Sequence, residues 1–142
     1  MRLIKVELYN SKISNFLFDL RNKSYVKKNT MNTKNLKLYN HKIWFKKFLN
    51  GKNMLYLITK KKVMIGYIRL EKIRMYYNVS WAILKKYQKM GFTKKSLILA
   101  TKNKKYKYKA LIKKSNIESV YIAEKAKFKR KYKKKDILYY LK

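Results

Sequence analysis

Gln88-Lys89-Met90-Gly91-Phe92-Thr93 is the segment whose residue types best suit chemistry. It follows an apolar stretch from Tyr76 to Leu84 and precedes a helix-compatible stretch from Lys94 to Ala100. A strand, a glycine-containing turn and a helix start leave backbone N–H groups converging with little side-chain bulk between them. Such a turn suits a pyrophosphate, aided by the positive end of the helix dipole. The peptides of Lys89 to Thr93 are the expected donors, and Lys89, Lys94 and Lys95 add Coulomb attraction. Thr93 crowds the helix start, while its hydroxyl can cap that helix or donate to phosphate. An ordinary strand-loop-helix turn would use the same residues. A second block, Asn116-Ile117-Glu118-Ser119, suits another helix start with Asn116 as its cap.

Other chemistry is restricted by composition. There is no cysteine, which excludes disulfides and thiolate metal sites. The one histidine, His41, cannot form a histidine cluster, so no metal site is expected. Net charge is +34, from 40 basic residues against 6 acidic ones. That field attracts polyanions and strengthens at low salt. Non-specific contact with nucleic acid or the ribosome is one reading. Codon bias is the other, because the chain is rich in Lys, Asn, Ile and Tyr and has no Pro. Bias alone leaves the scarcity of Asp and Glu unexplained, so both readings stay open. No apolar run approaches the roughly 20 residues that span a bilayer. Charges interrupt the apolar residues of Met1 to Glu7, unlike a signal peptide, so a cytoplasmic location is expected.

Periodicity gives the elements that must hold these residues. Arg2 to Tyr9 reads as a strand, and Ser11 caps a helix with Ile13, Phe16, Leu17 and Leu20 at helical spacing. Asn22 to Asn35 reads as a loop. Leu36 to Leu49 is a second helix, ended by Asn50-Gly51. Met54–Thr59, Val63–Ile73 and Tyr76–Leu84 form a meander, with Lys60-Lys61-Lys62 as its first connection. A helix over Phe92–Lys102, a strand over Tyr106–Ile112 and a helix over Ile117–Ala126 follow. Phe128–Tyr132 and Ile137–Leu141 are final strands.

This order and these motifs resemble the GCN5-related N-acetyltransferase (GNAT) superfamily. The family's phosphate motif is Gln/Arg-x-x-Gly-x-Gly/Ala. Gln88 and Gly91 match it, and Thr93 replaces the small residue. Its later block is Asn-x-x-Ala/Ser followed by Gly-Phe. Asn116, Ser119 and Phe128 match, with Lys127 in place of the glycine. In the N-terminal half, Leu20-Arg21-Asn22, Tyr25-Val26, His41 with Trp44-Phe45, and Ile65-Gly66-Tyr67-Ile68-Arg69 resemble one branch. That branch acetylates the 4-amino group of nucleotide-linked amino sugars on routes to pseudaminic and related acids. A branch that acetylates ribosomal protein N-termini shares part of the early pattern.

The resemblance implies a single α/β domain over residues 1–142. Its sheet would be mixed, mostly antiparallel and twisted, with six or seven strands and helices on both faces. Acetyl-CoA would be the co-substrate, and the acceptor a small-molecule primary amine, foremost a sugar nucleotide. The strand at Val79–Leu84 would part from that at Lys107–Ile112, with pantetheine in the gap. A backbone N–H near Ile83 would face the thioester carbonyl as an oxyanion donor. Ile83, Leu84, Gln88, Lys89, Met90, Gly91, Phe92, Thr93, Asn116 and Ser119 would contact the coenzyme. Arg21 and Asn22 would bind substrate phosphate or sugar, or merely end a helix, and Trp44 would contact the acceptor. Glu71 is the first candidate for the base that deprotonates the amine, with a surface partner for one of the many lysines as its alternative. His41 is the second, and reads foremost as a half-buried packing or substrate-contacting residue beside Trp44 and Phe45. Many family members place a tyrosine seven residues after the motif's asparagine; here that residue is Ala123. Two other outcomes accompany this reading. One is acetylation of a protein N-terminus; the other is a non-catalytic, basic RNA- or ribosome-binding protein on a decayed scaffold. Either a monomer or a homodimer fits.

Overall fold

The computed structural model describes residues 1–142. Its elements in chain order are β1 (Arg2–Lys5), α1 (Ser11–Arg21), α2 (Ser24–Lys27), α3 (Leu38–Asn50), β2 (Met54–Lys60), β3 (Val63–Ile73), β4 (Tyr76–Ile83), α4 (Phe92–Ala100), β5 (Lys107–Lys113), α5 (Ile117–Lys125), β6 (Lys129–Lys134) and β7 (Ile137–Leu141). All seven strands join one sheet in the order β1-β2-β3-β4-β5-β7-β6. Every neighbouring pair is antiparallel except β4 with β5. This is the mixed, mostly antiparallel sheet that the sequence predicts.

Side-chain alternation assigns the two faces. On one face, Leu55, Leu57, Tyr67 and Ala82 pack with Leu17 and Leu20 of α1 and with Phe45 and Phe48 of α3. On the other, Ile58, Ile68, Leu70 and Val79 pack with Leu97 and Ala100 of α4 and Ala123 of α5. The helical spacing of those apolar residues fixes which side of each helix faces the sheet. No helix is long and apolar enough to cross a membrane.

Some details differ from the sequence expectation: β6 runs over Lys129–Lys134 rather than Phe128–Tyr132, and α3 starts at Leu38 rather than Leu36. Pairing of β1 with β2 ends at Lys5, so the strand stops short of Tyr9. Asn10, not Ser11, caps α1, its side chain accepting the Ile13 N–H at 3.1 Å. The stretch predicted as a loop after Asn22 contains α2, held by the buried Val26 in the first core. A four-residue helix carries too little periodicity to be read from sequence.

Tight turns carry unusual backbone. Lys127 lies at φ 71°. It ends α5 in a Schellman arrangement: Phe128 N–H donates to Ala123 O at 3.0 Å and Lys127 N–H to Glu124 O at 3.1 Å. This is where the family pattern has glycine, and a lysine side chain there is strained. Gly66 answers a different need. A Cβ on it would stand 2.6 Å from Ala82 O, so β3 and β4 approach more closely there than any side chain allows.

Candidate active site

β4 and β5 begin as neighbours and then separate. Their parallel pairing covers Tyr76 with Lys107, Tyr77 with Tyr108 and Asn78 with Lys109, and goes no further. Beyond that point β4 continues to pair with β3 as far as Ile83, while β5 turns its other edge to β7. The edge of β4 that faces β5 is therefore open from Val79 onward. Leu84 N–H donates to Ile65 O of β3 at 2.8 Å. Backbone groups alternate sides along a strand, so the Ile83 and Trp81 N–H groups point away from β3, into the gap. A cleft of about 340 Å³ fills that gap, lined by β4, by Leu111 and Ile112 of β5, and by Asn116 and Ser119.

The turn after β4 forms one end of this cleft. Lys85–Tyr87 is a single 3-10 turn, and Gly91 stands before α4 at φ 82°. Lys89 is also left-handed, at φ 60°. Alternating handedness folds successive amides toward a common point, the geometry of an anion nest. The first amide of α4 with a partner is that of Lys95, which donates to Gly91 O at 3.1 Å. From Lys89 through Lys94 no backbone N–H has an acceptor in the chain. A Cβ on Gly91 would meet nothing within 4 Å, so the space over the turn is open. A groove of about 260 Å³ lies there, lined by Lys89, Gly91, Phe92 and Lys94, and shares Thr93 and Glu118 with the main cleft.

Several predicted contacts converge here. Gln88, Thr93, Asn116, Ser119 and Ile83 line the main cleft. Asn116 caps α5 by accepting the Ser119 N–H at 3.3 Å, so capping and lining go together. Thr93 is buried, and its hydroxyl makes no capping bond with the helix start. Met90 is exposed and lies outside both cavities. Leu84 is also outside them. Its N–H goes to β3 and its carbonyl accepts the Tyr87 N–H at 2.9 Å, so both backbone groups are already engaged within the chain. Ala123, at the position of the missing phenol, is fully buried, and Tyr121 on the same helix is exposed.

The opposite end of the cleft is polar. Tyr67, Arg69 and Glu71 alternate onto the face of β3 toward α1, and Ala82, Ser80 and Asn78 stand across from them on β4. Arg21, in the last turn of α1, joins this surface. The Arg21 and Arg69 guanidinium carbons lie 6.0 and 5.5 Å from the centroid of the Trp44 ring. Trp44 thus supports the two cations from outside the cleft. Burial holds the Arg21 pKa below its usual value, Tyr67 and Glu71 oppose this, and Arg69 adds to it. Four buried polar atoms of cleft residues have no partner: Arg69 Nε, Asn78 Oδ1, Ser80 Oγ and Trp81 Nε1. Buried polar groups are normally satisfied, so their grouping marks a surface for a polar ligand.

Two sequence candidates sit elsewhere. His41 is buried among Phe18, Trp44 and Phe45, and its Nε2 lies 3.0 Å from Ser14 O. A carbonyl accepts only, so Nε2 carries the hydrogen. Burial lowers the His41 pKa, the Ser14 bond raises it, and Arg21 lowers it. This ring is a packing residue and does not reach the cleft. Asn22 spends its amide on Leu36, donating to Leu36 O at 3.3 Å and accepting the Leu36 N–H at 2.9 Å. It pins the loop that follows α2 and contributes nothing to the cleft wall. Glu71 faces Asn78 across the ladder beside the polar end, without lining the cavity itself. The carboxylate that does line it is Glu118, in the first turn of α5 near the glycine turn.

The sequence reading missed Arg69, Tyr67, Asn78 and Ser80 as site residues. Their signal was the alternation itself, which sets polar side chains on one face of two otherwise apolar strands. It also missed the segment from Asn29 to Asn32, which lines the cleft across from β4.

A strand that parts from its parallel neighbour, followed by a glycine turn with free amides, belongs to the GNAT fold, and the architecture of this chain is that fold. The comparisons agree. An acetyltransferase of the GNAT family from Bacillus anthracis superposes with a TM-score of 0.82 at 18% identity, over 100% of this chain and 95% of that one. A ribosomal-protein-alanine N-acetyltransferase from Brucella melitensis gives 0.81 at 14% identity, over 100% and 99%. The Campylobacter jejuni N-acetyltransferase PseH, in complex with acetyl coenzyme A, gives 0.72 at 18% identity, over 99% and 96%. No family model and no curated protein matches the sequence.

Proposed function

We infer that this chain transfers an acetyl group from acetyl-CoA to a primary amine. One observation carries the reading: β4 leaves β5 after Asn78, beside a turn whose amides from Lys89 to Lys94 have no acceptor. The gap suits pantetheine, paired to the open edge of β4 as an added strand. The free amides and the α4 dipole suit the coenzyme's diphosphate, with Lys89 and Lys94 adding charge. Gln88, Thr93, Asn116 and Ser119 flank the same path.

In this reading the amine nitrogen attacks the acetyl carbonyl carbon. The C–N bond forms, the C–S bond breaks, and the carbonyl oxygen carries negative charge between the two events. The Ile83 N–H, aimed into the gap, is the donor for that oxygen. Holding both reactants in one cleft supplies much of the rate. Glu71 is the base that takes the amine's proton, directly or through water. Ala123 offers no proton, so the coenzyme thiolate leaves unassisted or is protonated by water. The favoured acceptor is the 4-amino group of a nucleotide-linked amino sugar. It rests on the resemblance of the N-terminal motifs and on the polar surface around Arg21 and Arg69. A protein N-terminal amine is the competing acceptor, and the Brucella melitensis neighbour supports it.

Thermal unfolding with and without acetyl-CoA tests the coenzyme reading. Saturation at 100 times Kd adds about 2.7 kcal/mol of stability. No stabilisation at millimolar coenzyme contradicts the reading. A coenzyme-release assay offered amino-sugar nucleotides and peptides then separates the two acceptors. Glu71→Gln should lower kcat and flatten the acidic limb of the pH profile, with coenzyme affinity unchanged; an unaltered profile removes Glu71 as the base.

A further inference from the structure

Arg21 and Arg69 are two cations at one end of the cleft, and neither forms an ion pair: Glu71 acts on Arg21 only from beyond contact distance. The single ion pair of the protein is Lys5 with Glu7, far along the chain from both. Arg69 Nε is buried without a partner, and so is Oγ of Ser80, the residue directly across the β3–β4 ladder. Trp44 supports both guanidinium groups and supplies no acceptor oxygen. Guanidinium groups that lose water usually face a carboxylate or phosphate, whose oxygens match their planar fork. Here both arginines line the cleft.

We propose that the Arg21–Arg69 pair, with the Ser80 hydroxyl, is a subsite for an oxyanion carried by the acceptor amine. This deepens the acetyltransfer reading and rests on it. The ligand chemistry is a phosphate or carboxylate group covalently joined to the primary amine that is acetylated. A polycationic amine is disfavoured twice, by these two guanidiniums and by a chain of net charge +34.

The test uses matched amines in the coenzyme-release assay: ethanolamine against ethanolamine phosphate, and glycinamide against glycine. The first pair probes phosphate, the second carboxylate. Spermidine is the cationic control. The wild type should favour the anionic member of at least one pair by tenfold or more in kcat/KM, and spermidine should be poorest. Arg69→Gln and Arg21→Gln should each erase most of that preference by raising KM for the anionic amine, while thermal stabilisation by acetyl-CoA persists. Arg69→Lys, which keeps charge but loses the fork, should retain part of it. Lys131→Gln with Lys133→Gln, which removes two charges from exposed β6, should leave the preference intact. Equal use of both members of each pair, or a preference that survives both arginine substitutions, overturns the subsite. If the wild type binds no acetyl-CoA, the transfer reading fails by itself. The subsite is then judged by inorganic phosphate, which should change the tryptophan fluorescence of Trp44 and Trp81 together in the wild type and not in the Arg21→Gln, Arg69→Gln double variant. Equal responses overturn it.

Discussion

Replacing Gly91 with Ala separates what the glycine turn does for stability from what it does for binding. Gly91 sits at φ 82°, a conformation that costs an L-residue about 1–2 kcal/mol. Reduced freedom of the unfolded chain returns about 0.4–1 kcal/mol. The new methyl would meet nothing within 4 Å, so no steric clash adds to this. The folded state should therefore lose about 1 kcal/mol, or about 3 °C in Tm for a chain of this size. The methyl group would occupy the open space over the turn, where the diphosphate must come within hydrogen-bonding distance of the free amides. Losing one charge-assisted bond there costs about 1.5–3 kcal/mol, which is about 10- to 150-fold in Kd. Calorimetric titration with coenzyme A, alongside thermal melts, gives both numbers. A small change in Tm and a large change in Kd are expected. A variant that loses the stability but binds coenzyme A as the wild type does would show that no phosphate lies over this turn.

Lys127→Gly should stabilise the protein by about 1 kcal/mol, since Lys127 occupies a left-handed position that glycine adopts without strain. A Tm that fails to rise in a circular-dichroism melt would count against strain at the end of α5. Burial lowers the pKa of His41, so the neutral ring is the form the fold favours. Its stabilisation is complete above about pH 6.5 and is lost as pH falls below that value. His41→Gln keeps a donor for Ser14 O and should weaken this acid sensitivity without abolishing acetyl transfer. Loss of transfer with the fold intact would return His41 to the chemistry. The six residues of β6, Lys129–Lys134, are all exposed at the sheet edge, and five are basic. If they contact nucleic acid, Lys129, Lys131 and Lys133 changed together to Gln should cut the salt slope for single-stranded RNA by about 2. An unchanged slope in anisotropy titrations would leave the charge as a diffuse field.

The strand-turn-helix around Gly91 was legible because a glycine between an apolar strand and a helix has few structural alternatives. The meander from Met54 to Ile83 was legible too, through alternation and short connections. Residue types alone could not give where β4 leaves β5; the family resemblance put the parting at Val79, where β4 does leave β5. Both strands read as apolar and equally able to pair, and the parting depends on β5 finding β7 as its other neighbour. Arg69 was visible as a residue of a strand, but its partnership with Arg21 joins positions that α1 and β3 bring together only in three dimensions. His41 beside Trp44 and Phe45 reads foremost as a half-buried packing or substrate-contacting residue, and the packing role is the one the fold gives it. What the sequence could not show is the partner, Ser14 O, against which the ring is buried.

Amide NMR during a coenzyme A titration tests the central claim most directly. Saturable shifts are expected at Lys89 through Lys94, at Trp81 and Ile83, and at the flanking Gln88, Asn116 and Ser119, with Lys129 through Lys134 unmoved. Shifts spread over the exposed lysines with no saturation, or none at the turn after β4, would contradict it.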